Sequence, residues 1–192
     1  MSRKIVMLCE GQVNGKPMLA LRKLVDLENN VNGYFYSHES RCNGKIIAIL
    51  PYKIVPEQLN KVQLLIRNEV TPCWGTQRFL SSITGGFEGG DPRDTAILEM
   101  KEEAGYDIGA NELISLGTSF ASKSADTVYY LYSVNLTKKT QGTATTDGST
   151  LEKKATCVWM PYQELLNHQV QDPQVYVLLT RLMLHLNRNT VV

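Results

Sequence analysis

The sequence is poor in the residues that build dedicated zinc or disulfide centres. Its four cysteines, Cys9, Cys42, Cys73 and Cys157, are scattered and form no CxxC pair. That spacing excludes a disulfide framework and a zinc ribbon, and it suits free thiols in a reducing cytoplasm, where the protein is expected. The three histidines, His38, His168 and His185, lie far apart and away from any cysteine pair, so a zinc site has no ligand set to draw on. An excess of one charge is also missing: the net charge is +1. Neither nucleic acid nor a membrane surface is therefore expected as a partner. The longest apolar runs, "KIIAILPY" and "VYVLLTRLMLHL", are too short or too interrupted by charge to cross a bilayer. The start, "MSRKIVMLCEGQ", has too short an apolar run to be read as a signal peptide. What remains is a globular composition, 43% hydrophobic and 20% charged over 192 residues, enough for one sizeable core with a small appendage.

The N-terminal third reads as strands. Residues 4–10 and 17–23 are apolar segments around Asn14-Gly15, a strong hairpin signal. "LENNVNG" reads as a loop, "YFYSHESR" as the next strand and Asn43-Gly44 as another turn. Residues 45–53 and 61–70 are rich in β-branched and large apolar residues and read as two further strands. "TPCWG" breaks the pattern, and "RFLSSITGG" reads as a short strand running into glycines. Residues 112–122, 127–136 and 154–161 read as strands, and the Thr/Gly-rich stretch 137–150 between the last two as a mobile loop. Pro161 opens a short helix, and Asp172-Pro173 starts a final helix of about four turns. Strands, one helix, strands, then two helices predict an α/β fold with a mixed sheet between helices.

The most informative stretch is "GGFEGGDPRDTAILEMKEEAGYD", Gly85 to Asp107. Asp91 supplies a helix N-cap and Pro92 the first helical position, with Gly105 as the stop. Glu99, Glu102 and Glu103 stand at i, i+3 and i+4, so at ~100° per residue they share a face. Ala96, Ile97, Met100 and Ala104 fall on a neighbouring face that would pack on the sheet. Like charges at i,i+4 cost a helix about 0.2–0.5 kcal/mol, and the C-terminal end of the helix dipole adds to the repulsion. Glutamates alone are most often a solvated helix end. With glycines placed directly upstream, the face also suits a hard divalent cation, Mg²⁺ or Mn²⁺, held against a phosphate.

This stretch resembles the Nudix box, a glycine, five residues, a glutamate, seven residues, then R-E-U-x-E-E-x-G-U, where U is bulky and apolar. "LEMKEEAGY" supplies Glu99, Met100, Glu102, Glu103, Gly105 and Tyr106 at the matching positions, and "ITGG" matches the strand that enters the box. "YFYSHESR", "KIIAILPY" and "LLIRNEVTPCWG" before it, and "LGTSFASKSADTVYYLYSVNL" and "KATCVWMPYQELL" after it, are similar to the flanking segments of ADP-ribose pyrophosphatase-type members. The box is degenerate. Leu98 stands where the family has arginine, the interval from Gly85 to Gly105 is short, and the first glutamate has no clean counterpart, Asp91 or Glu88 being the candidates. Lys123 stands near the place of a proline that ADP-ribose-type members often carry.

The resemblance implies a Nudix α/β/α sandwich over residues 43–192, with an N-terminal β-rich segment, residues 1–42, that supports a homodimer. It implies metal-dependent hydrolysis of a nucleoside diphosphate linked to a second group, a nucleotide sugar being the expected small-molecule class. A Nudix-fold module that binds a nucleotide or protein without turnover is the alternative, suggested by Leu98 and the short loop. Glu99, Glu102, Glu103 and the Gly85 carbonyl are the implied metal ligands, with Glu102, Glu103 and a later carboxylate, Glu152, carrying the chemistry. Glu152 reads equally well as a surface residue. Arg67 is a candidate phosphate contact or a strand-end charge, Trp74 a base-stacking or a loop-packing residue, and Lys123 a substrate contact in a loop.

Overall fold

The computed structural model describes residues 3–56, 62–87, 89–145 and 151–189, without the side chains of Glu152 and Asn189. The chain opens with three antiparallel strands, β1 (Lys4–Val13), β2 (Lys16–Asp26) and β3 (Val31–His38), which form a sheet of their own. Asn14 and Gly15 both have positive φ, 50° and 75°, as a tight hairpin between β1 and β2 requires. β3 begins at Val31, inside the predicted loop. It ends at His38, and "ESR" does not extend it, because Ser40–Cys42 form a 3₁₀ turn that closes on the left-handed Asn43.

The predicted strand 45–53 is two strands, β4 (Lys45–Ile49) and β5 (Tyr52–Ile54), in two different sheets. Pro51 lacks an N–H to continue a ladder, and the chain steps across there: Leu50 N–H donates to Tyr132 and the Pro51 carbonyl accepts from Leu65. β6 (Val62–Val70) follows. "RFLSSITGG" likewise divides into β7 (Arg78–Ser81) and β8 (Ile83–Gly86). The break falls at Ser82, whose N–H and Oγ both donate to the Asp172 carboxylate, at 2.9 and 2.7 Å. The remaining elements are α1 (Pro92–Glu102), β9 (Leu113–Phe120), β10 (Val128–Val134), β11 (Thr156–Pro161), α2 (Tyr162–Asn167) and α3 (Pro173–Asn189).

One four-stranded sheet has the order β8-β4-β10-β9, with β4 and β10 parallel and the other pairs antiparallel. The second has the order β11-β6-β5, and β7 pairs with the far end of β6. Strand periodicity gives these sheets two apolar faces. Ile47, Ile49, Leu65, Tyr132 and Val134 pack with Ala96 and Met100 of α1 and with Ala104 just after it. Ala48, Leu50, Leu64, Ile66 and Leu131 pack with Leu165 of α2 and Val175, Leu178 and Leu182 of α3. The result is the expected mixed α/β sandwich, helices on both faces and the N-terminal strands appended.

Asp172 ties one face to the other end of the chain. It is buried, caps α3 through Gln174 N–H at 2.9 Å, and receives both Ser82 donors. Asp172→Ala therefore leaves buried donors without an acceptor, and is expected to cost about 3 kcal/mol, roughly 5–10 °C in Tm for a chain of this size. Calorimetry checks this; a fall of under about 1 °C would mean the Ser82 tie contributes little.

Candidate functional site

The acidic helix has the predicted start. The Asp91 side chain accepts from Arg93 N–H at 2.9 Å and Pro92 occupies the first turn. Asp91 is thereby used as a cap and is not part of the cavity wall described below; Glu88 lies outside the described residues. The helix ends where Gly105 takes φ +71°. A Cβ there would also lie 2.5 Å from the Gly142 carbonyl oxygen, so only glycine fits. The 137–150 loop, expected to be mobile, is bonded to this helix end over its described part. Gly142 N–H donates to the Gly105 carbonyl at 2.7 Å, and Gln141 Nε2 to the Ala104 carbonyl at 2.9 Å.

Met100 and Ala96 face the core, which turns Glu99, Glu102 and Glu103 toward the end of β8. Here "ITGG" explains itself. Gly85 and Gly86 have no positive φ; close approach is what excludes a side chain. A Cβ at 85 would fall 2.0 Å from Glu99 Oε1, and one at 86 would fall 2.8 Å from the Cys42 Cβ.

Glu99, Glu102, Glu103 and Gly85 line one cavity of about 440 Å³, together with Glu39, Arg41, Cys42, Ile46, Arg67, Glu69, Thr84, Gly86 and Tyr129. Five carboxylates face two guanidinium groups across it. Arg41 Nε pairs with Glu39 at 3.1 Å. Arg67 is 2% exposed; its Nε donates to Glu69 Oε2 at 2.9 Å and its Nη2 lies 2.9 Å from Glu103 Oε1. Ser81 Oγ donates to the other oxygen of Glu69 at 2.7 Å. Burial works against the Arg67 charge, but Glu103 and Glu69 outweigh it and hold its pKa above the ordinary arginine value.

The chemistry of this donor set, oxygen-rich and in negative excess, fits a hard divalent cation. Among the described residues, however, no three His, Cys, Asp or Glu side chains stand in metal-ligand arrangement. The glutamates share the cavity without converging on one point.

The other predicted residues are dispersed. Trp74 packs edge-on against Phe79, with ring centroids 5.6 Å apart, at the turn between β6 and β7. Lys123 lies in the loop after β9, where its carbonyl accepts from the Tyr34 hydroxyl. Neither lines the cavity. Glu152 stands in the short 3₁₀ turn Glu152–Lys154, and its side chain lies outside the described residues.

Several wall residues are not singled out by the sequence. Glu69 was legible in principle, since Arg67 and Glu69 alternate onto one face of β6. Glu39 and Arg41 stand beside the Asn43-Gly44 turn with nothing local to mark them. Tyr129, near the start of β10, also lines the cavity, and burial followed by the field of Asp172 pushes its hydroxyl up to about 12.

The layering of this structure is that of a Nudix-like fold. In particular, it is similar over its whole length to the crystal structure of an ADP compounds hydrolase, with a TM-score of 0.65 and 17% identity, covering 98% of this chain and 97% of that one. A protein described as a Nudix hydrolase, from Listeria monocytogenes, aligns with a TM-score of 0.49 and 16% identity over 75% of this chain and 94% of that one. No family model matches the sequence, and no curated protein matches it. At 17% identity the likeness establishes the fold and leaves the chemistry to the residues of the cavity.

Cys157, paired with Arg67 across β6 and β11, has its thiol pushed up to about 11 by burial, which the nearby Arg67 only partly opposes. At pH 8 its thiolate fraction is then about one in a thousand. Iodoacetamide followed by mass spectrometry is expected to label exposed Cys9 and Cys73 first, with Cys157 and buried Cys42 well behind; early labelling of Cys157 would show that this packing is open.

Proposed function

We propose that the protein hydrolyses the pyrophosphate bond of a nucleoside diphosphate linked to a second group, with a nucleotide sugar as the substrate class and Mg²⁺ or Mn²⁺ as the cofactor. The observation that carries this is the meeting of Glu99, Glu102, Glu103 and Gly85 on one polar cavity whose carboxylates outnumber its guanidinium groups. The neighbour described as an ADP compounds hydrolase points to the same kind of linkage.

In this scheme Glu99, Glu102, Glu103 and the Gly85 carbonyl hold the cation. Bound there, a divalent cation would offset the charge of the pyrophosphate and make a water nucleophilic for attack at phosphorus. Water adds to one phosphorus, the bridging P–O bond breaks, and a nucleoside monophosphate and a phosphorylated second product leave. Glu152 is the proposed proton acceptor or additional ligand, at the start of the turn that leads into β11. Arg41, exposed and paired with Glu39 on the cavity wall, is available to exchange that partner for a phosphate oxygen. Trp74 and Lys123 lie outside the wall, away from the groups that would meet the pyrophosphate.

The N-terminal strands are proposed to pair with a second copy of the chain. Ile5, Met7, Leu19, Leu21 and Phe35 of this sheet are exposed, more apolar surface than an isolated three-stranded sheet ordinarily leaves to water.

The test is incubation with a panel of nucleotide sugars and Mg²⁺, following release of nucleoside monophosphate. Glu103→Gln is expected to lower kcat by about 100-fold or more, since it removes a ligand charge. Gly85→Ala should lower it by about tenfold or more by displacing the Glu99 carboxylate. Full turnover in Glu103→Gln would contradict the metal assignment, and nucleotide binding without turnover in the wild type would mark a binding module.

A further inference from the structure

We propose that Arg67, delivered from β6, is a positioning residue for Glu103 on the acidic helix. This rests on the reading that Glu103 is a metal ligand. Leu98 is half exposed, at 50%, and carries no charge with which to hold a neighbouring carboxylate. Arg67, on the neighbouring sheet, places its Nη2 2.9 Å from Glu103 Oε1.

The surroundings of Arg67 fit holding rather than binding. A cation in mid-strand beside buried Leu65 and Ile66 is costly unless it is paired. Its Nε–Nη2 edge, one of two on which a guanidinium can take a phosphate bidentately, is divided between Glu69 and Glu103. Glu69 is fixed in turn by Ser81, which stands directly across from Arg67 in the β6–β7 ladder. On the other side, Cys157 is opposite Arg67 in the β6–β11 ladder, and its thiol donates to the Glu103 carbonyl at 3.6 Å. Glu103 is thus held at its backbone from one flanking strand and at its carboxylate from the central one.

The Arg67–Glu103 contact is a close ion pair without an aligned hydrogen bond from Nη2. The ammonium of a lysine, three rotatable donors on one atom, lacks the planar fork that reaches both carboxylates in fixed directions.

The test is a double-mutant cycle read by Mn²⁺ binding, followed by electron paramagnetic resonance on the full chain. Glu103→Gln should weaken Mn²⁺ binding about tenfold or more in the wild type and no more than about threefold in an Arg67→Met background. Glu69→Gln, which keeps Arg67 and is less disruptive to folding, should reduce the effect of Glu103→Gln in the same direction. Effects that multiply within about twofold in both backgrounds would overturn the proposal. In kinetics, Arg67→Lys should lower kcat about tenfold with KM within about threefold, whereas a raised KM with kcat retained would mark Arg67 as a substrate contact and overturn it. A wild type that binds Mn²⁺ but turns over no substrate sinks the hydrolase reading alone, because the binding cycle still decides the role of Arg67. A wild type that binds no Mn²⁺ overturns both.

Discussion

Arg67 is a permanent cation set among apolar neighbours on the middle strand of the second sheet, and the local structure follows from the need to compensate it. Two carboxylates are drawn in from different distances along the chain. Glu69 comes two residues later on the same strand, and Glu103 comes from the end of α1. Removing both partners would leave a buried charge without a counter-ion, which is among the costliest changes a core can suffer. The pairing therefore does two things at once: it lets a charge stay buried, and it fixes where the last helix turn sits against the sheet. Ser81 and Cys157 extend the same arrangement to the strands on either side.

The rest of the site is set by close packing. The Glu99 carboxylate lies so near the Gly85 backbone that a methyl group would collide with it. That contact brings the acidic face onto the strand that enters it, and Met100 and Ala96 hold the helix there from the core side. Electrostatic repulsion among the glutamates is tolerated because apolar burial on the opposite face of the same helix offsets it. The acidic face is held by elements that would be stable for other reasons, and it leaves excess negative charge facing a cavity.

Local signals in the sequence were enough for much of this. The caps of α1 and α3, Asp91-Pro92 and Asp172-Pro173, are chemical necessities of helix ends, so they could be read directly. The Asn14-Gly15 hairpin and the i, i+3, i+4 glutamates were legible for the same reason, since both depend only on neighbours. What depends on distant partners was not. The steps at Pro51 and Ser82, which send one apparent strand into two sheets, are decided by Tyr132, Leu65 and Asp172. Arg67 was visible as a charge in a strand, but its partners are set by ladder register, which a period-two pattern does not specify. Glu39, Arg41 and Tyr129 reach the cavity only because β3 ends and β10 begins beside it.

The central claim is that the glutamate face and Gly85 form a divalent-cation site in the cavity that Arg67 borders. Crystals soaked in Mn²⁺ and measured at the manganese absorption edge test it most directly. The account predicts an anomalous peak among Glu99, Glu102, Glu103 and the Gly85 carbonyl, with the Arg67–Glu103 pair retained. A cavity without such a peak in crystals that bind Mn²⁺ elsewhere, or a peak bound away from the acidic helix, would contradict it.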